Sequence, residues 1–78
     1  MKVNKKYVYI NLKNIREDKD LKQKDIAKLI NVSPRTYSHY ENTEREIPME
    51  TWKQLSKLVD VSIDYLSIIA EKKKDKEK

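Results

Sequence analysis

Gln23-Lys24-Asp25-Ile26-Ala27-Lys28-Leu29-Ile30-Asn31-Val32-Ser33-Pro34-Arg35-Thr36-Tyr37-Ser38-His39-Tyr40 spells two short amphipathic helices joined by a tight turn. Ile26 and Ile30 lie four apart and share one helical face, with Ala27 beside them. Asn31-Val32-Ser33 breaks that pattern, and Tyr37 and Tyr40, three apart, begin the next apolar stripe. Each helix is expected to run about two turns. A three-residue turn makes the two axes cross steeply and closely, and Ala27 is small enough to admit that approach where a leucine would force them apart. The Ser33 hydroxyl can cap the second of these helices, and Pro34 suits the first helical position, where no intrahelical N–H bond is lost.

The same periodicity places three more helices around this pair. The first is expected over about residues 11–19, capped by Asn11, with Leu12, Ile15 and Val8 facing inward. The segment Tyr7-Val8-Tyr9-Ile10 alternates like a strand and reads either as an extended arm or as the first helical turn. The central pair covers about residues 22–30 and 34–41, followed by a polar loop. Pro48, in a first-turn position, opens a fourth helix with Trp52, Leu55, Leu58 and Val59 as its inward stripe. Asp60-Val61 ends it. Ser62 then caps a fifth helix, with Asp64 in its first turn and Tyr65, Leu66 and Ile69 as the apolar face. The expected organisation is an arm or helix start over 1–10, one five-helix all-α domain over 11–70, and a charged, disordered tail over 71–78.

A chain of 78 residues with 37% apolar content supports one small core. With no cysteine, neither a disulfide nor a thiolate metal site assists it. No run of residues has the length of a signal peptide or membrane span, so a soluble cytoplasmic protein is expected. The net charge of +5 is less informative than its distribution. Lys2, Lys5 and Lys6 and the lysine-rich stretch 71–78 carry the whole excess, while residues 7–70 balance ten basic against ten acidic side chains. A nucleic-acid reading therefore depends on local placement. Between residues 22 and 45, Lys22, Lys24, Lys28, Arg35 and Arg45 stand against Asp25, Glu41 and Glu44, a local excess of two.

From about Leu12 to Leu66 the chain resembles the Cro and phage-repressor-like helix-turn-helix regulators, the XRE family. The resemblance is carried by Ile15-Arg16-Glu17, Gln23-Lys24-Asp25-Ile26-Ala27, the run Ser33 to Glu41, Arg45-Glu46-Ile47-Pro48 and Val61-Ser62-Ile63-Asp64-Tyr65-Leu66. It implies a lambda-repressor-like domain whose third helix enters the major groove of double-stranded DNA while the second lies across it. Pro34, Arg35, Thr36, Ser38 and His39 then fall where relatives read bases. Chemistry ranks Arg35 first, since its guanidinium can pair bidentately with guanine O6 and N7. Gln23, at the start of the second helix, matches a position that contacts phosphate and supports the reading helix, with Lys22 and Lys24 as further phosphate partners. Asn42, Thr43 and Arg45 match positions that hold phosphates through backbone N–H groups and basic side chains. Arg16 and Glu41 match an internal ion pair between the first and third helices. The resemblance departs at the glycines: this chain has none, and Asp20, Asn31 and Thr43 occupy those places. Asp and Asn tolerate a left-handed backbone, whereas β-branched Thr43 does so poorly and can crowd a phosphate.

Duller readings compete at several positions. The spacing of Tyr37 and Tyr40 makes them core rather than base-stacking residues. His39, the only histidine, lacks companions for a metal site or a nucleophile–base pair, and no set of residues suggests an enzyme. The expectation is a transcriptional regulator, a repressor, acting on operator DNA without cofactor, metal or small-molecule ligand. A chain this short is expected to bind as a homodimer through the fifth helix, where Ile63, Leu66 and Ile68 exceed the needs of one face. The alternative is a protein-interaction module, such as an antitoxin or a bridging factor, on the same fold.

Overall fold

The computed structural model describes residues 7–71. Its order is β1 (Tyr7–Val8), α1 (Ile10–Asp18), α2 (Gln23–Leu29), α3 (Pro34–Glu41), α4 (Met49–Val59), α5 (Ile63–Leu66) and β2 (Ala70–Glu71). The five helices enclose one core, in which Leu12, Ile26, Ala27, Ile30, Tyr37, Tyr40, Ile47, Trp52, Leu55, Val59 and Leu66 are buried together. The most extensive packing between elements is α2 on α3. Ala27, fully buried, sits in the helix whose axis approaches α3 through the short turn.

Local chemistry explains where each helix begins. Ser33 Oγ accepts from the Thr36 N–H at 3.0 Å, and Pro34 takes the first helical position of α3. Lys22 precedes α2 without a capping hydroxyl, but the Asp25 carboxylate reaches back to the Lys22 N–H at 2.9 Å, which satisfies one of the donors orphaned at the helix start. Ser62 Oγ caps α5 through the Tyr65 N–H at 3.3 Å.

Several sequence expectations are corrected here. Asn11 is not a cap: α1 starts at Ile10 behind Tyr9, and the Asn11 side-chain amide donates instead to the Tyr65 carbonyl at 2.9 Å. Pro48 stands one place before α4, at its N-cap, and not within the first turn. Leu58 is 37% exposed, because one face of α4 is already filled by Trp52, Leu55 and Val59. The fifth helix is a single turn, so it has only one deeply buried position, Leu66. Tyr65 and Ile69, 48% and 49% exposed, are not on an inward face because the chain leaves the helix after Leu66. The all-α architecture also carries a two-stranded antiparallel ribbon, pairing Tyr7 with Glu71 and Val8 with Ala70. This ribbon draws Tyr7–Val8 and Ala70–Glu71 into the folded unit; residues 1–6 and 72–78, including most of the expected tail, lie outside the described residues.

In the absence of glycine, four helices end on residues with left-handed backbones: Asp20 (φ 59°), Asn31 (φ 63°), Thr43 (φ 58°) and Asp60 (φ 60°). After α1, α2 and α3 the chain closes the same paired bonds. Leu21 N–H reaches Arg16 O and Asp20 N–H reaches Glu17 O; Val32 N–H reaches Ala27 O and Asn31 N–H reaches Lys28 O; Glu44 N–H reaches His39 O and Thr43 N–H reaches Tyr40 O, all between 2.8 and 3.2 Å. These are Schellman closures, which satisfy the last carbonyls of each helix. Asp and Asn adopt this conformation at low cost, but at Thr43 the branched Cβ opposes it. Thr43→Gly is expected to stabilise the domain by about 1 kcal/mol and raise its Tm by roughly 4–8 °C. The 3.3 Å bond from the Thr43 hydroxyl to the Tyr7 carbonyl, lost in that variant, offsets only part of the gain. A lower melting temperature by calorimetry would show that the side-chain bond outweighs the strain.

Candidate nucleic-acid interface

The faces of α3 divide by helical geometry. Tyr37, Tyr40 and Glu41 turn inward and are buried, which leaves Arg35 and His39, four residues apart, at the centre of the opposite side. Arg35 is exposed, and its guanidinium has no hydrogen bond or ion pair among the described residues. Pro34 is exposed beside it. Thr36 and Ser38 are half-buried on the flanks; the Thr36 hydroxyl accepts from Ser33 Oγ at 3.0 Å and keeps its own proton available. His39 is held by its Nδ1, which lies 2.6 Å from Glu44 Oε1.

A buried polar network sets the orientation of this helix. Glu41, 2% exposed, accepts from Arg16 Nε at 2.8 Å and from the Tyr37 hydroxyl at 2.8 Å on one oxygen. Its other oxygen accepts from Arg16 Nη2 at 3.2 Å and Gln23 Nε2 at 3.0 Å. Arg16 Nη1 meanwhile donates to the Leu21 carbonyl at 2.8 Å, closing the end of α1. Three helices thus converge on one carboxylate. Burial alone would lower the Arg16 pKa, but its bonds to Glu41 outweigh that and leave it above the usual arginine value. The Arg16–Glu41 pair, and support of the reading helix by Gln23, were expected from the resemblance; the Tyr37 contribution, and Glu41 as the partner of Gln23, were not. The i,i+4 spacing of Tyr37 and Glu41 was the one available signal for the former.

The Tyr37 hydroxyl is pushed far above the usual tyrosine range, first by burial and then by the adjacent Glu41 charge. A phenol whose pKa is raised by folding contributes stability that is intact below the unfolded pKa, about 10, and lost as pH rises above it. As pH rises above about 10 the Tyr37 contribution should fall, with a slope that grows toward about 1.4 kcal/mol per pH unit. Tyr9, raised by burial and by Glu46, adds in the same direction. Tyr37→Phe should flatten the stability–pH curve in that window, as read by urea melts; an unchanged slope would contradict the assignment.

The residues expected to hold phosphate are distributed unevenly. Lys22, Lys24 and Arg45 are exposed. Lys24 and Lys28 flank a shallow groove between α2 and the start of α3, lined also by Asp25, Asn31, Val32 and Pro34. Gln23 is half-buried, and its amide braces Glu41. The loop departs from expectation. The backbone N–H groups of Asn42, Thr43 and Glu44 all donate to carbonyls of α3, because the left-handed turn at Thr43 closes the helix on them. The Asn42 amide donates to Ser38 O at 2.9 Å, and the Thr43 hydroxyl points back to β1. Backbone capture of a phosphate at Asn42 and Thr43 is therefore closed off in this conformation, leaving Arg45 as the basic side chain of that loop. Among the described residues, no three metal-ligating side chains converge, and no helix is long and apolar enough to cross a membrane.

Two helices meeting through a short turn of four residues, 30–33, the second anchored on one face and turned outward on the other, define a helix-turn-helix domain. Comparison with known proteins agrees. A helix-turn-helix family profile matches residues 12–66, most of the chain. Over 56 residues the chain is 38% identical to a Bacillus subtilis (strain 168) protein named as the uncharacterized HTH-type transcriptional regulator YqaE, covering 72% of this chain and 48% of that protein. The chain belongs to the XRE family of helix-turn-helix proteins. It spans about half the length of that relative. No solved structure gave a significant match.

Proposed function

We propose that this protein binds double-stranded DNA sequence-specifically, with α3 in the major groove, and regulates transcription as a cytoplasmic repressor that blocks access to its operator. The observation that carries this reading is the outward face of α3: an arginine unpaired among the described residues and a half-exposed histidine on a helix whose other face is locked into the core. Arg35 is the principal base reader, a guanine O6/N7 partner, assisted by His39, Thr36 and Ser38, with Pro34 shaping the approach. Lys22, Lys24, Lys28 and Arg45 neutralise phosphates on either side of the groove, while Gln23 supports α3 from beneath and offers its remaining N–H to the backbone. Neither cofactor, metal nor catalytic residue is required. Membership of the XRE family and the similarity to a Bacillus protein named as a transcriptional regulator support the same reading.

The proposed homodimer keeps Ile68 from the surface the sequence suggested but not Leu66, which is fully buried, while Ile63 is partly buried against the core. Tyr65, Ile68 and Ile69, each about half exposed, form the apolar surface left for a second copy. Two recognition helices would then meet half-sites about 10–10.5 bp apart.

Selection of duplexes from a randomised pool tests the proposal. Enrichment of one motif is expected, with affinity falling by a log–log salt slope of about −3 to −4 per protomer, from roughly −0.9 for each of four cationic contacts. Absence of any enriched motif, or binding indifferent to salt, would refute it.

A further inference from the structure

The pair formed by His39 and Glu44 is built differently from a surface ion pair. The backbone N–H of Glu44 donates to the carbonyl of His39 at 2.8 Å, so residue 44 is pinned to the residue its side chain serves. The left-handed backbone at Thr43 produces that closure. The Glu44 carboxylate, with a side chain only 15% exposed, then meets His39 Nδ1 at 2.6 Å, while the imidazole itself remains 41% exposed. A carboxylate can only accept, so Nδ1 must carry a proton. The opposite ring nitrogen, Nε2, has no hydrogen-bond partner among the described residues.

We infer that Glu44 is a positioning residue for base recognition: it fixes Nδ1 as the protonated nitrogen of His39, so that in the neutral form of the ring Nε2 is presented to DNA as a hydrogen-bond acceptor. This rests on the DNA-binding reading above and adds a specificity to it. In the major groove the donors are the exocyclic amino groups, N4 of cytosine and N6 of adenine. Guanine offers only acceptors there. His39 therefore selects an amino-bearing base, whereas Arg35, four residues away on the same face, selects guanine. Without Glu44 the ring can exchange tautomers, present a donor at Nε2, and lose the discrimination.

Two measurements on the intact chain test this. The first needs no DNA. Nitrogen-15 NMR of the His39 ring at pH 8 is expected to show a protonated Nδ1 and an unprotonated Nε2. In Glu44→Ala the balance should shift toward the Nε2–H form, and in Glu44→Gln, whose Oε1 still accepts, it should shift back. A wild-type ring found as the Nε2–H tautomer, or doubly protonated at that pH, overturns the inference. The second is duplex selection with wild type, His39→Ala and Glu44→Ala, with circular dichroism confirming that each variant is folded. One position should show a preference for cytosine or adenine of roughly three- to tenfold that both variants abolish, while the guanine preference assigned to Arg35 persists. If both variants select the wild-type motif, Glu44 is merely a structural partner and the inference fails although DNA recognition stands. If the wild type selects no motif, the DNA-binding reading fails and takes the inference with it.

Discussion

Glu41→Ala is expected to destabilise the domain by about 3–5 kcal/mol. The stability of a chain this size is on the order of 4–12 kcal/mol, so the loss is a large fraction of the whole. The reason is the number of groups left behind. Without the carboxylate, the guanidinium of Arg16, 7% exposed, keeps only its 2.8 Å bond to the Leu21 carbonyl and a 3.8 Å approach to Glu17. The Tyr37 hydroxyl and the Gln23 amide lose their acceptor in the same step. Arg16→Ala should cost somewhat less, because Tyr37 and Gln23 still satisfy both oxygens of Glu41. The paired replacement Arg16→Met with Glu41→Leu should recover part of the loss, since no charge is then stranded and the volume is retained. Urea denaturation followed by circular dichroism measures all three. A loss below 1 kcal/mol for Glu41→Ala would mean that water reaches the site and that the network does not organise the fold.

That network connects stability to recognition. Glu41 is the last residue of α3, Arg16 belongs to α1, and Gln23 opens α2. Removing the carboxylate frees the end of the proposed reading helix from both neighbours, so the outward face should lose its fixed orientation before the core is fully lost. Variants that remain folded at low temperature are therefore expected to bind DNA more weakly than their residual helicity suggests.

How much of this could be read from the chain depended on how local the cause was. The bounds of α3 follow from Ser33 and Pro34, a cap and a first-turn residue whose effects act within one turn, and those bounds hold in the structure. The left-handed positions at Asp20, Asn31 and Thr43 were visible only as departures from a glycine pattern, and periodicity alone carries no sign of them. β1 was ambiguous because its partner lies at the far end of the chain; Tyr7–Val8 becomes a strand only when Ala70–Glu71 is brought alongside. α5 is a single turn, too short for apolar spacing to define a face, which is why Tyr65 and Ile69 were misplaced. In the candidate interface, the outward positions of Arg35 and His39 follow from helical phase. What Asn42, Thr43 and Glu44 do does not: their donors are committed by a backbone turn that side-chain identity does not announce. Glu44 carried no signal as a partner of His39, since a five-residue separation brings two side chains together only after the helix has ended.

The second large effect is on binding. Arg35→Ala should lower affinity for the selected duplex by roughly 10- to 100-fold, since a bidentate guanine contact is worth about 1–3 kcal/mol of discrimination. Arg35 is exposed and unpaired among the described residues, so its removal should leave the melting temperature nearly unchanged. Lys28→Ala, which removes a charge beside the groove between α2 and α3, should weaken all sequences alike and flatten the salt slope by about 0.9. The measurement that bears most directly on the outward face of α3 is thus a titration of wild type and Arg35→Ala against the selected duplex and a scrambled duplex of equal length. The expected result is that the wild type prefers the selected duplex and that Arg35→Ala abolishes this preference while binding scrambled DNA within a few-fold of wild type. An equal loss on both duplexes, or a preference that survives the substitution, would show that sequence is read elsewhere.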